Sequence, residues 1–370
     1  MSDIYLGLMS GTSMDAIDAV AVQFTEQHLQ LLASHSLVLP FELRDRMSAL
    51  CRGERHSMME FAHLDVLMGR LLANTACQLM EKQALTASRI NAIGSHGQTI
   101  WHINQGAERT SIQIGDPNII AEQTGITTIA DFRRRDIAAG GQGAPLVPAF
   151  HAAYFRVADE NRVVLNIGGI ANITILPGNK HDPVRGFDTG PGNTLLDMCA
   201  CENQRGRFDQ DGTFARQGAV LPEVLAKLMG DSYFALAPPK STGREHFNRS
   251  WLEKTVGDLS RYPAANMQAT LSELTAQTIR DSIHAQAATT QRILVCGGGI
   301  HNRYLIQRLQ ALLPAITVES TVEYGIDPQW VEAIAFAWLA KQTLENQPGN
   351  LPSVTGATRS CVLGAIYPGK

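Results

Sequence analysis

The chain has 370 residues, 44% of them hydrophobic and 18% charged, with a formal net charge of −4. That length supports two domains with full cores, and the balance is that of an ordinary soluble globular protein without the basic runs of a nucleic-acid binder. No apolar stretch approaches the roughly 20 residues that span a membrane, Met1-Ser2-Asp3-Ile4-Tyr5 lacks the basic start of a secretory leader, and six cysteines without a CxxC pair suggest reduced thiols in a cytoplasm.

Residues 4–9 read as a buried strand that breaks at 10–15, and a second strand runs on to Phe24, so the chain opens on a hairpin with a wide polar turn. Met59, Phe61, Leu64, Met68, Leu71, Leu72, Thr75 and Leu79 keep helical spacing, which predicts a helix from Ser57 to about Gln83 with Ser57 and Glu60 as a capping box. Residues 90–94 form a strand feeding a polar turn, Ser95-His96-Gly97-Gln98-Thr99. Residues 126–130 form another, followed by Asp131 and the arginines 133, 134 and 135. The passage Gly140-Gly141-Gln142-Gly143-Ala144-Pro145 is flexible and a candidate domain junction.

A second series follows. Residues 162–167 and 170–176 make a hairpin that turns on Gly168-Gly169, and 184–187 form a strand. Asp188-Thr189-Gly190-Pro191-Gly192-Asn193 opens a helix holding Leu195, Leu196 and Met198. Residues 236–247 read as an ordered loop, too rich in specific polar residues to be a spacer. A helix covers 267–287, a strand at 293–295 ends in Gly297-Gly298-Gly299, and 302–312 and 329–344 are helical. The order suggests two related α/β halves.

Glycine turns thus follow strands at four places, where N–H groups can approach a ligand. No GxxxxGK[ST] occurs, no GxGxxG follows the first strand, and protein-kinase signatures are missing. Each turn alone could be a plain tight turn. Together they look like the nucleotide-binding fold of actin, sugar kinases and the heat-shock ATPase, which uses backbone amides and hydroxyls on phosphates in place of a lysine.

Longer strings narrow this. Gly7-Leu8-Met9-Ser10-Gly11-Thr12-Ser13-Met14-Asp15-Ala16-Ile17-Asp18, Gly94-Ser95-His96-Gly97-Gln98-Thr99, Ala130-Asp131-Phe132-Arg133, Leu165-Asn166-Ile167-Gly168-Gly169-Ile170-Ala171-Asn172, the segments 138–145, 187–193 and 238–244 with Glu245, Phe247 and Asn248, and Val331-Glu332-Ala333 resemble the anhydro-N-acetylmuramic acid kinases from end to end. One departure is Ala16, where that family usually has glycine. The resemblance implies an α/β fold of two actin-like (ribonuclease H-like) domains flanking a nucleotide-binding cleft. The first would cover residues 1–133, joined by the last few C-terminal residues, and the second 134–370. It also implies a cytoplasmic enzyme, a homodimer, ATP and Mg²⁺ as cofactors, and an amino-sugar substrate, with no nucleic-acid or membrane partner. The implied reaction opens 1,6-anhydro-N-acetylmuramic acid with water and phosphorylates O6 during cell-wall recycling.

Asp188 matches the family's catalytic base, as a carboxylate must take the proton of the attacking water; a helix cap is the structural alternative. Glu332 matches a position near the sugar, or is a solvated first-turn glutamate. Gly11, Thr12, Ser13, Met14, Asp15, Ala16, Ile17 and Asp18 are expected around the triphosphate, with Mg²⁺ held through water near Asp15 and Asp18 rather than by a protein metal site. Gly168, Gly169, Gly190 and Gly192 are expected phosphate neighbours, and Gly297, Gly298 and Gly299 face adenosine or the α-phosphate. The lactyl carboxylate of the substrate calls for Arg133 or Arg135, and His96 and Gln98 are candidate sugar contacts. Two other readings compete: a glycoside hydrolase on Asp188 and Glu332, active without ATP, and an actin-like scaffold with sugar-independent ATP hydrolysis.

Overall fold

The computed structural model describes residues 4–11, 14–25, 29–52, 57–103, 106 and 108–370. Thr12 and Ser13, expected at the triphosphate, lie outside them. In chain order the strands are β1 (Ile4–Ser10), β2 (Ala16–Phe24), β3 (Leu29–Val38), β4 (Ile90–Ile103), β5 (Thr110–Ile114), β6 (Thr128–Ala130), β7 (Arg162–Ile167), β8 (Ile170–Leu176), β9 (Arg185–Pro191), β10 (Arg292–Cys296), β11 (Thr317–Ser320) and β12 (Ala365–Tyr367). The helices are α1 (Phe41–Cys51), α2 (Met58–Lys82), α3 (Pro117–Thr124), α4 (Phe132–Ala138), α5 (Val147–Phe155), α6 (Thr194–Glu202), α7 (Pro222–Met229), α8 (Ser232–Ala235), α9 (Arg249–Val256), α10 (Ala264–Gln286), α11 (Arg303–Leu312), α12 (Val331–Leu344) and α13 (Pro352–Thr355).

The chain divides into two units, Met1–Phe150 with Trp330–Lys370, and His151–Gln329. The first unit's sheet has the order β12-β6-β4-β1-β2-β3, with β5 paired to β4. The second has β11-β10-β7-β8-β9. One plan underlies both. An antiparallel meander (β1-β2-β3, and β7-β8-β9) is extended from its first strand by two parallel strands (β4 and β6, and β10 and β11). This is the duplicated ribonuclease H-like α/β plan that the resemblance implied.

In the first unit, α2 begins where the sequence said it would: the Ser57 hydroxyl accepts the Glu60 N–H at 3.1 Å. Leu64, Met68, Leu72, Ala76 and Leu79 then recur on one buried face. α12 is buried nearly all round from Val331 to Ala340. It lies so close to β1 and β4 that glycine is required there. A Cβ on Gly7 would stand 1.9 Å from Ala333 O, and one on Gly94 2.0 Å from Phe336 O. That close packing holds the start of α12, with Glu332, over the sheet. In the second unit, the inward residues of β7, β8 and β10 pack with α10, α6 and α11 in a core of their own.

Three expectations change. Ser95-His96-Gly97-Gln98-Thr99 is not a turn but the middle of β4, because β5 supplies ladder partners to residues 98–103. Asp188 lies inside β9, not at a helix opening. The division falls at 150/151 and returns at 330, instead of 133/134, and the C-terminal share is 41 residues long (330 to 370) rather than a few. The reason lies in the 140–145 passage. Asp136 is fully buried and accepts the Gly143 N–H at 2.8 Å, Asn350 Nδ2 at 2.6 Å and the Thr355 hydroxyl at 2.7 Å. The glycines pack on this carboxylate and are part of the first unit. Ala16 lies in extended β2 and not in the positive-φ region, so a methyl in place of glycine brings no backbone strain there.

Candidate active site

In the first unit, α4 turns Arg133 toward β4. Its Nε and Nη2 donate to His96 Nε2 at 3.2 and 2.8 Å, and Nη1 donates to Gly143 O at 2.8 Å. Gly143 is thus held on both sides, by Asp136 on its N–H and Arg133 on its carbonyl. Burial, and then the neighbouring guanidinium, push the buried His96 imidazole down to about 3. The ring is neutral, with its proton on Nδ1, and fixes Arg133 as an acceptor. Burial also lowers Arg133 to about 10, opposed by Glu332 and Asp136, so the guanidinium keeps its charge.

Glu332 opens α12 within electrostatic reach of Arg133 and Asp18. Burial lifts its carboxyl above the usual range, Arg133 lowers it and Asp18 raises it further. Its side chain is half-buried, which sets it apart from a fully solvated first-turn glutamate. Asp18 accepts the Ser36 hydroxyl at 2.8 Å, and burial raises its carboxyl against that bond. The wide turn before it closes through Met14 N–H to Gly11 O at 3.0 Å, with Met14 at φ +54°. Asp15 pairs with Arg44 at 3.3 Å. The remaining expected residues go elsewhere. Ile17 is fully buried core. Gln98 is fully buried and accepts the Ser10 hydroxyl at 2.7 Å while donating to Thr99 O at 3.0 Å. Arg135 is exposed.

In the second unit, three glycine turns gather at one end of the sheet. β7 and β10 run parallel with Asn166 beside Cys296, so Gly168-Gly169 and Gly297-Gly298-Gly299 leave the same edge. Ile170 pairs with Pro191, which brings Gly190 and Gly192 to that edge as well. The turns are laced together: Gly192 and Thr194 N–H reach Gly169 O at 2.9 and 3.1 Å, and Asn193 N–H reaches Gly168 O at 2.8 Å. Gly297 holds φ +79° and donates to Pro328 O. Gly298 faces open space, with nothing within 4 Å of a Cβ placed there. Arg244 lies beside Gly169, its Nε 3.4 Å from the Cβ that glycine lacks.

Asp188 stands on β9 two residues before Gly190. Thr242 N–H donates to its carboxylate at 3.0 Å, its own N–H reaches Lys240 O at 3.1 Å, and the Tyr233 hydroxyl donates to its carbonyl at 2.8 Å. Burial lifts the carboxyl to about 6, the Thr242 bond opposes, Glu245 adds to the rise and Lys240 offsets it. A strand carboxylate tuned toward neutrality is fitted for proton transfer and is no helix cap. Sequence reasoning assigned no role to Tyr233, Lys240, Thr242 or Arg244. For the last three the available signal was the polar density of 236–247; Tyr233 lies outside that stretch and had no such signal.

Among the described residues no helix is long and apolar enough to cross a membrane. Residues 3–369 match the family model described as anhydro-N-acetylmuramic acid kinase. Proteins of that name from Coxiella burnetii, Xanthomonas campestris pv. campestris and Shewanella frigidimarina are 49%, 50% and 48% identical, each alignment covering 99% of this chain and 98% of the relative.

Proposed function

The chain belongs to the anhydro-N-acetylmuramic acid kinase family, and from that premise we propose that it uses ATP and water to convert 1,6-anhydro-N-acetylmuramic acid into N-acetylmuramic acid 6-phosphate and ADP. The observation that carries the reading is the Asp188 carboxylate, raised to about 6 and held by backbone from a separate loop. Asp188 takes a proton from the water that attacks the anomeric carbon. The bond from that carbon to O6 breaks, and O6 takes the γ-phosphoryl group, so no separate acid is needed.

Glu332 orients the water or a sugar hydroxyl. Arg133 meets the lactyl carboxylate. A guanidinium has five N–H donors; among the described residues three are taken by His96 and Gly143, leaving one on Nη1 and one on Nη2, the pair that matches two carboxylate oxygens. The glycine edge of the second unit supplies N–H groups to the phosphates. Mg²⁺ arriving with ATP supplies charge stabilisation for phosphoryl transfer. Asp15 and Asp18, already engaged by Arg44 and Ser36, suit contact through water rather than direct ligation. A cytoplasmic homodimer acting in cell-wall recycling belongs to the same reading.

The test is ADP release from Mg-ATP with and without the sugar, in the natural protein and in Asp188→Asn, with product mass read after reaction in oxygen-18 water. Sugar-dependent ADP, one solvent oxygen in the phosphorylated product and an inactive variant are expected. Sugar-independent ADP release that survives Asp188→Asn would overturn the reading, and ring opening without ATP would mark a hydrolase.

A further inference from the structure

The segment 236–247 has no regular structure of its own, yet Asp188 depends on it through the Lys240 carbonyl and the Thr242 N–H. Packing does not fill the space along its first half. A cavity of about 170 Å³ lies along it, lined by Phe187, Phe234, Leu236, Pro238, Thr278 and Asp281 among others. Its far end is anchored by Phe247, fully buried in the unit's core, and by His246, which meets Asp231 at 3.2 Å; the part that touches Asp188 is tied down by the Lys240 side chain. The half-buried Lys240 ammonium donates to the carbonyls of Tyr233 and Phe234 at 3.2 Å each, and stands 4.7 Å from the centre of the Tyr233 ring. Those carbonyls belong to α8, and the Tyr233 hydroxyl returns to Asp188 O. The contacts close a circuit: Asp188 to the Lys240 backbone, the Lys240 side chain to Tyr233, and Tyr233 to Asp188.

We propose that Lys240 is a positioning residue for Asp188, stapling the 240–242 backbone to α8 so that the carboxylate keeps one orientation. The proposal rests on the reading of Asp188 as the base. The charged and titratable groups facing that carboxylate are Lys240 and Glu245 from the loop and Tyr233 from α8. Loss of the ammonium therefore has two consequences: the carboxylate loses its fixed aim, and it loses the cation that favours its ionised form.

The experiment follows ADP release by the full chain at saturating Mg-ATP from about pH 5 to 9, for the natural protein, Asp188→Asn, Lys240→Met and Lys240→Arg. Lys240→Met is expected to lower kcat about tenfold with the KM for sugar changed less than about threefold. Its acid limb should move upward by about half a pH unit or more, and Lys240→Arg should restore both. A folded Lys240→Met with kcat within about twofold of the natural protein and an unmoved limb overturns the proposal, as does a change confined to KM. If circular dichroism shows Lys240→Met unfolded, Lys240→Gln takes its place under the same criteria. An active Asp188→Asn, or a natural protein without an acid limb, overturns the base reading itself, and does so without reference to any Lys240 variant.

Discussion

Asp188 can act as a base only while it is ionised. Burial raises its carboxyl to about 6, with the Thr242 N–H opposing, Glu245 adding and Lys240 offsetting. A base is lost on protonation, so kcat/KM should be level above neutrality and fall as pH drops through about 6, where an ordinary aspartate would hold its activity to about 4. A pH–rate profile flat down to about pH 5 would count against the assignment. Arg133 allows a second test. In the proposed reading, the two N–H groups that the described residues leave unused meet the sugar's carboxylate, and hydrogen bonds to charged groups are worth about 1.5–3 kcal/mol. Arg133→Lys should therefore raise the KM for sugar about 10- to 100-fold with little change in the KM for ATP, and Arg135→Lys should change neither. Equal effects of the two substitutions would refute the distinction. In sequence the two arginines are indistinguishable. They lie two positions apart on α4, and residues so spaced point to different sides of a helix, so only the placement of α4 against β4 separates them. Gln98 was illegible for a related reason: its partner, Ser10, is 88 residues away. Asp188 and Glu332 were singled out through strings that resemble a family, and their tuned environments come from residues no local pattern links to them.

Elements whose signals are local could be read directly. The β7–β8 hairpin has the expected bounds because its apolar runs and its two glycines lie within 15 residues of sequence, 162 to 176. α2 was equally plain from its spacing and its Ser57 cap. β4 was cut short because polar residues and a glycine mimic a turn when the pairing strand, β5, is not in view. The close approach of α12 to β1 was invisible for the same reason, although it explains why glycine stands at 7 in the middle of a strand. Gly7→Ala would force a methyl against the Ala333 carbonyl. It should cost about 1–3 kcal/mol, as overpacking does, measured by denaturant unfolding. It should also lower kcat, because the displaced turn carries Glu332. Unchanged stability and rate would mean that α12 yields freely at this point.

At the scale of the molecule, the duplicated plan was legible as a repeated order of hairpin, helix and strand, while the route of the chain between the units was not. Glycine-rich residues 140–145 have the composition of a linker, but their amides and Cα atoms close on Asp136, which also holds Asn350 and Thr355 more than 200 residues further on. A Cβ on Gly141 would lie 2.1 Å from that carboxylate, so the glycines serve close approach and not flexibility. The two units differ in what they need. The second is one continuous stretch, and its hydrophobic cluster draws only on residues between Val163 and Val318. The first is discontinuous: α12 covers β1 and β4, β12 continues the sheet beyond β6, and Asn350 and Thr355 satisfy Asp136. Residues 151–329 expressed alone should therefore melt cooperatively by circular dichroism. Residues 1–150 alone should not, since the apolar face under α12 would be bare and a buried carboxylate would lose two of its donors, a loss of several kcal/mol against a typical stability of about 5–15 kcal/mol. Joining 330–370 to 1–150 through a flexible linker should restore the transition. Cooperative melting of 1–150 on its own would show that the returning segment decorates a self-sufficient domain instead of completing it.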